Sequence, residues 1–316
     1  MRLADSNLAR KTTLLLCIVL VFGMVSPWNA NAIGNIVDAL KENADEPVIA
    51  PEPEPAPQLD LVWEKVEYDS GDVYEGYINP ETGKCEKFGT YRWVYGDSYE
   101  GMLKDDMLSG YGVYRWADGD SYEGMFENGN MSGYGIKYYS NGDLYEGMWK
   151  NGDMTGFGIY LYADGDSYKG MWIDSFQSGC GVYRWADGGS YAGMWKNYER
   201  SGFGILRNSN GNSYAGMWED DAGTGYGVRH FADGESYAGM WKDYQKSGYG
   251  VYYYINGDSY EGMWKDDTAS GFGVYRWANG TSYAGIWEDD NMTGFGVSRF
   301  TNGDTYYGMI KVEESD

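Results

Sequence analysis

The chain has 316 residues, among them 48 glycines and 32 tyrosines but only 7 prolines. That mixture excludes a collagen-like or disordered Pro/Gly chain, because large rings bury enough surface to offset the entropy of ordering. A formal net charge of −24 excludes nucleic acid as a natural partner and disfavours anionic lipid, leaving cations, basic proteins and neutral ligands.

In chain order, Arg2, Arg10 and Lys11 precede an apolar run from Leu14 to Val25, and Ala30 and Ala32 supply an A-x-A pattern. The run is short for a membrane span. Residues 1–32 therefore read as a signal peptide cleaved after Ala32, which predicts a secreted or extracytoplasmic protein. The alternative is a membrane-anchored protein held by an uncleaved segment over residues 14–25. Ile33–Asn43 reads as a short helix and the proline-rich Glu46–Pro57 as an extended spacer, together a linker over 33–60.

From Leu61 onward the sequence repeats itself. The tyrosines of a Y-x-G motif fall at Tyr99, Tyr122, Tyr145, Tyr168, Tyr191, Tyr214, Tyr237, Tyr260, Tyr283 and Tyr306, every step being 23 residues. Tyr74 belongs to the same series, 25 residues before Tyr99, because Asn79–Cys85 carries a two-residue insertion. A fixed period of this length marks a stacked repeat architecture. It divides the chain into a capping half-repeat over 61–73, ten repeats over 74–305, and a half-repeat with an acidic tail over 306–316.

Each unit holds two short apolar runs separated by turn signals, as in Leu144–Trp149 (LYEGMW) and Gly271–Trp277 (GFGVYRW). Runs so short and so rich in rings and β-branched residues are strands, and Asp-Gly or Asn-Gly between them marks tight turns. The expected fold is all-β: an elongated single-sheet solenoid of about ten 23-residue β-hairpins. Strand alternation puts Tyr145, Gly147 and Trp149 on one face, with Glu146 and Met148 on the other. A glycine between two large rings leaves room for a ring to lie flat across the backbone.

The unit Tyr145–Asp164, YEGMWKNGDMTGFGIYLYAD, resembles the MORN repeat, whose pattern is roughly Y-x-G-x-W-x₂-G-x₃-G-x-G-x₅-D-G. The resemblance covers residues 61–312. It implies a rod-like, slightly twisted hairpin solenoid with an open groove. It also implies roles in scaffolding, protein contacts and attachment near membranes, sometimes with phospholipid binding.

The search for chemistry yields little. His230 is the lone histidine and stands where the sister repeat has Arg115, with no partners at the spacing of a triad or zinc site. Acidic pairs such as Asp118/Asp120 and Asp164/Asp166 recur at one position of unit after unit. An enzyme needs a singular pair in contrasting environments, so no enzyme, cofactor or catalytic residue is expected. Weak Ca²⁺ binding by stacked turn carboxylates is one reading, and solvated turns the other. Cys85 and Cys180 lie about four repeats apart, roughly 40 Å at the usual strand spacing, far beyond disulfide reach. Sequons at Asn130, Asn279 and Asn291 matter only in a glycosylating host.

The aromatic face remains. Tyr99, Tyr122, Tyr145, Tyr168, Tyr191, Tyr214, Tyr237, Tyr260 and Tyr283, flanked by Trp149, Trp172, Trp195, Trp218, Trp241, Trp264 and Trp287, form the candidate groove. These rings could grip a peptide or stack on neutral sugars, or serve as the solenoid's own core. The expected function is a non-catalytic scaffold that engages a protein partner or its own copies. A carbohydrate- or cell-surface-binding module is the alternative.

Overall fold

The computed structural model describes residues 60–310. The signal peptide, its cleavage site at Ala32, nearly all of the linker and the last six residues lie outside the described residues. Within them the chain forms 22 strands and no helix. The described residues divide into two compact units, one ending at Phe176 and the other beginning at Gln177. In each unit every strand pairs antiparallel with its neighbours in sequence, from Val62–Glu67 to Ser167–Ile173 in the first. The second runs in the same way from Phe176–Arg184 to Thr305–Ile310.

One repeat of the first unit shows how the sequence dictates this pattern. Strand Ser121–Glu127 turns at Asn128–Gly129 into Asn130–Tyr138. Both turn residues have left-handed backbone, φ 50° and 83°, the two-residue turn whose twist matches that of the strands. Elsewhere the same turn is made without glycine, by Asp220–Asp221 (φ 46° and 65°) and even by Asp243–Tyr244 (φ 49° and 65°). At the other end of the hairpin, the Gly119 N–H donates to the Trp116 carbonyl at 3.1 Å. Gly119 there has φ 97°, which only glycine adopts freely.

The glycines of the strands have two distinct duties. Gly124 and Gly135 face each other across the ladder, and the Tyr122 ring lies over both. The ring thus comes from the same strand as Gly124 and from the strand beside Gly135. Past this pair the register slips, from Gly124↔Gly135 to Phe126↔Met131, a β-bulge that Gly133 accommodates at φ 70°. The Tyr122 hydroxyl donates to the Met125 carbonyl at 3.0 Å, satisfying a carbonyl beside the irregular part of the ladder. The second unit repeats this with Tyr237 and the Met240 carbonyl, also at 3.0 Å.

Each unit's core is therefore one face of a sheet. Tyr122, Tyr145 and Trp149 are buried in the first unit, and Tyr237, Trp241 and Trp264 in the second. In the first unit the rings run edge to face from Tyr122 to Trp149 (5.5 Å), Tyr145 (5.0 Å) and Trp172 (5.4 Å). In the second they run from Tyr191 to Trp218 (5.3 Å), Tyr214 (5.2 Å) and Trp241 (5.4 Å), and on to Tyr283. Such pairs contribute about 0.5–1.5 kcal/mol each beyond the area they bury.

Candidate functional site

The structure places the whole predicted aromatic row in the core. Tyr99, Tyr122, Tyr145, Tyr168, Tyr191, Tyr237, Tyr260 and Tyr283 are at most 1% exposed. Tyr214 and the seven tryptophans from Trp149 to Trp287 are buried as well. The polar atoms of this row are also committed. The indole N–H of Trp149, Trp195, Trp218, Trp241, Trp264 and Trp287 donates to a glycine carbonyl fourteen residues back, at 3.1–3.3 Å. Trp172 lacks such an acceptor among the described residues. Burial raises the pKa of the ring hydroxyls, that of Tyr214 to about 12.

Some of these rings still floor cavities. In the second unit, Tyr260, Trp264 and Trp287 line one of about 260 Å³ together with Lys246, Asp267 and Asp290. Lys246 Nζ stands 4.1 Å from the Trp264 ring centre, a cation–π contact in a partly dry site. Tyr214 and Trp241 border a smaller one of about 140 Å³. In the first unit a cavity of about 390 Å³ is lined by Tyr68, Tyr91, Trp93 and Cys85.

The opposite face carries a feature that the motif search passed over. The Met of the G-M-W run, or the residue in its place, lies across the ladder from the ring of the preceding G-[YF]-G in most repeats, Met194 facing Cys180 instead. In the first unit the pairs are Phe88↔Met102, Tyr111↔Met125 and Tyr134↔Met148. In the second they include Phe203↔Met217, Tyr226↔Met240, Tyr249↔Met263 and Phe272↔Ile286. All of these side chains are exposed, Met148 by 41% and Tyr226 by 60%. Carboxylates clip several of the tyrosines: Tyr111 donates to Glu123, Tyr134 to Glu146, and Tyr249 to Glu261 at 2.5 Å. A repeated, exposed stripe of methionine and aromatic side chains edged by acids results in each unit. The sequence signal was the same alternation that placed Met148 opposite Tyr145.

The turn carboxylates have structural work. Asp143 Oδ1 accepts the Ala163 N–H at 2.8 Å and Oδ2 the Tyr160 hydroxyl at 2.8 Å, both from the next repeat. Burial pushes this carboxyl up, but these bonds and the Asn141 amide outweigh it and hold the pKa below the usual value. Asp97 and Asp258 make the same two bonds. At the opposite edge Asp221 and Asp267 accept the N–H of Arg200 and of Lys246, 21 residues back. These carboxylate oxygens are thus engaged by N–H and O–H donors. Among the described residues no group of three or more His, Cys, Asp or Glu side chains gathers as metal ligands would.

Of the irregular residues, His230 is exposed at the end of its strand, between Ser213 and Ser236. Cys85 is a buried free thiol, so it makes no bridge to Cys180. Burial, and then the Asp106 carboxylate, push its pKa to about 11, which keeps it unreactive at neutral pH. Cys180 is also buried. The insertion closes on itself through Asn79 Oδ1, which accepts the Glu81 N–H at 2.9 Å.

A family model described as the MORN repeat matches nine consecutive repeats, from 99–121 to 283–305. No curated protein matches the chain. Among solved structures, the TCP domain of SAS-4 (dCPAP) of Drosophila melanogaster, in complex with a proline-rich motif of Ana2, is 16% identical. That match covers 57% of this chain and 85% of the other, with a TM-score of 0.29. The TCP10 domain of Danio rerio CPAP is 10% identical over 78% of this chain and 100% of its own, with a TM-score of 0.22. Virginiamycin B lyase from Staphylococcus aureus is 10% identical over 81% and 87%, with a TM-score of 0.15. Likenesses this slight bear on neither fold nor function.

Proposed function

The chain belongs to the MORN-repeat family, and from that premise we propose that it is a non-catalytic scaffold that holds a protein partner along the exposed methionine–aromatic stripe. The observation that carries the reading is the pairing of Tyr226 with Met240 and of Tyr249 with Met263, open to solvent beside a sealed core. Thioether and ring side chains adapt to varied apolar surfaces and are enriched where proteins meet. The acidic surround, with Glu123, Glu146 and Glu261 at the edge of the stripe, suits a partner whose apolar face is flanked by lysine or arginine. Self-association is disfavoured by the same charge, since two copies would bring like surfaces together.

Export from the cytosol belongs to this reading and rests on the basic, apolar and A-x-A segments of residues 1–32. An intact mass that begins at Ile33 supports it, and an uncut N-terminus removes it. For the scaffold itself, a photocrosslinking amino acid at position 226 or 240, expressed in the native host, should capture one recurrent protein that the same group at Asp266 does not. Capture from Asp266 alone, or the same partner held by a Met217→Glu, Met240→Glu, Met263→Glu variant, would sink the reading.

A further inference from the structure

At one place in the second unit three framework residues are missing together. The residue that opens the Asp-Gly turn is aromatic in every other repeat, from Trp93 and Trp116 to Trp277 and Phe300, but here it is Asn208. Two residues earlier, where Tyr160, Tyr252 and Tyr275 stand in other repeats, this one has Leu206. The side chain that ties one turn to the next, as the carboxylates of Asp143 and Asp258 do, is absent at Gly189. Elsewhere a departure is compensated: Lys137 stands in a tyrosine position and still reaches Asp120, at 3.2 Å. Here no side chain of the described residues fills the space, and a cavity of about 350 Å³ opens, lined by Trp185, Asp187, Gly189, Arg200, Leu206, Asn208, Ser209 and Asn210.

The lining has a definite chemistry. Trp185 supplies an indole wall, leaning on Tyr183 at 5.2 Å, and Leu206 adds an aliphatic surface. Around them stand a carboxylate, two amides and a hydroxyl, already held in place. Asp187 accepts the Gly189 N–H at 2.8 Å and the Ser209 hydroxyl at 2.9 Å. The turn is closed by the Asn208 N–H bond to the Asn212 carbonyl at 2.8 Å. Arg200 is neutralised by Asp221, whose Oδ1 accepts from Nε at 2.8 Å, and lies 4.3 Å over the Trp218 ring. Its charge is therefore spent, and Asp187 would repel an anion.

We infer that this cavity is a binding site for a neutral hexopyranose unit of a glycan. The space of the missing side chains is ring-sized, one wall is an aromatic plane that accepts the C–H face of a sugar, and the rim offers donors and acceptors that match hydroxyls better than a hydrocarbon. The site lies apart from the methionine–aromatic stripe and does not depend on the scaffold reading.

The test is saturation-transfer NMR on the whole chain with the methyl glycosides of glucose, galactose, mannose and N-acetylglucosamine, together with the indole N–H signal of Trp185. At least one glycoside should give transfer and move that signal. Asn208→Trp, which restores the framework ring, should weaken binding at least tenfold while the melting temperature holds or rises. Ser209→Ala with Asn210→Ala, which leaves the core untouched and removes only two exposed turn hydrogen bonds, should weaken binding while the chain stays folded by circular dichroism, and serves if Asn208→Trp fails to fold. The inference is overturned if no glycoside binds, if binding survives both variants, or if indole and N-acetyltyrosinamide bind where the glycosides do not. That last result would make the occupant a partner's aromatic side chain.

Discussion

Gly147 and Met148 are neighbours in sequence and belong to opposite worlds. Gly147 sits against the Tyr145 hydroxyl, where an added Cβ would stand 2.5 Å from that oxygen and 2.7 Å from the Gly158 Cα. Met148 points the other way and is 41% exposed. In both units the face beneath the rings is sealed by glycine–tyrosine packing and edge-to-face indoles, and the reverse face is open. The difference teaches where selection for folding ends. A residue on the sealed face is fixed by close packing, whereas a methionine recurring on the open face adds little to the core, so its recurrence needs a reason in recognition.

Alkali should break the sealed face first and most completely. A phenol normally ionises near pH 10, but burial pushes Tyr214 to about 12 and raises Tyr237 and Tyr260 further. The folded state thus favours the neutral hydroxyl more than the unfolded state does. That stability is fully present below pH 10 and is lost as pH rises through the folded values. Because the same tyrosine recurs in every repeat, the losses add, and circular dichroism should show cooperative unfolding above about pH 11. A fold that persists to pH 12.5 with ionised tyrosine absorbance would contradict the packing described.

Trp241→Ala should come next. Its ring joins Tyr214 at 5.4 Å and Tyr237 at 5.0 Å and bonds the Gly227 carbonyl. Loss of about 3–5 kcal/mol is expected from urea melts. The partner position on the open face, Tyr226→Ser, should stay within about 0.5 kcal/mol of the native chain. Equal losses at the two positions would mean that the open face is not open.

Gly147→Val and Met148→Ser make the comparison within one dipeptide. The valine has no room and should cost about 1–3 kcal/mol or more through overpacking, with a lower melting temperature. The serine should leave the melting temperature unchanged and weaken partner capture. A neutral valine would show that Tyr145 can swing clear, and the account of the glycines would fail.

Much of this division was legible in the sequence. The 23-residue spacing, the Asp-Gly turns and the alternation around Gly147 led to the hairpins and to the ring-over-glycine contact. Turns such as Asp243–Tyr244 carry no glycine and betray their left-handed backbone only in three dimensions. The bulge at Gly133 was equally hidden, since a Gly that needs positive φ and a Gly that needs space under a ring look alike in G-[YF]-G. As for the site, the motif tyrosines and tryptophans drew attention because they recur, and recurrence reflected the core. The cavity at Gly189, Leu206 and Asn208 was visible only as absences, spread over twenty residues that the stacking of repeats brings together.

The smallest effect tests the bulge that keeps the two faces in step. Gly110 and Gly133 take left-handed backbone at the bulge, φ 65° and 70°, but in the first, irregular repeat the same place is held by Lys87 at φ 55°. A side chain in that region costs roughly 1–2 kcal/mol relative to its preferred backbone, and glycine escapes the penalty at some expense in unfolded-state entropy. Lys87 is exposed, so little packing is lost on its removal. Lys87→Gly should therefore stabilise the chain by about 0.5–1 kcal/mol, read as a rise in urea midpoint at constant slope. A lower midpoint would show that the lysine makes a compensating contact, and that the first repeat keeps its faces in register by means other than the backbone of its siblings.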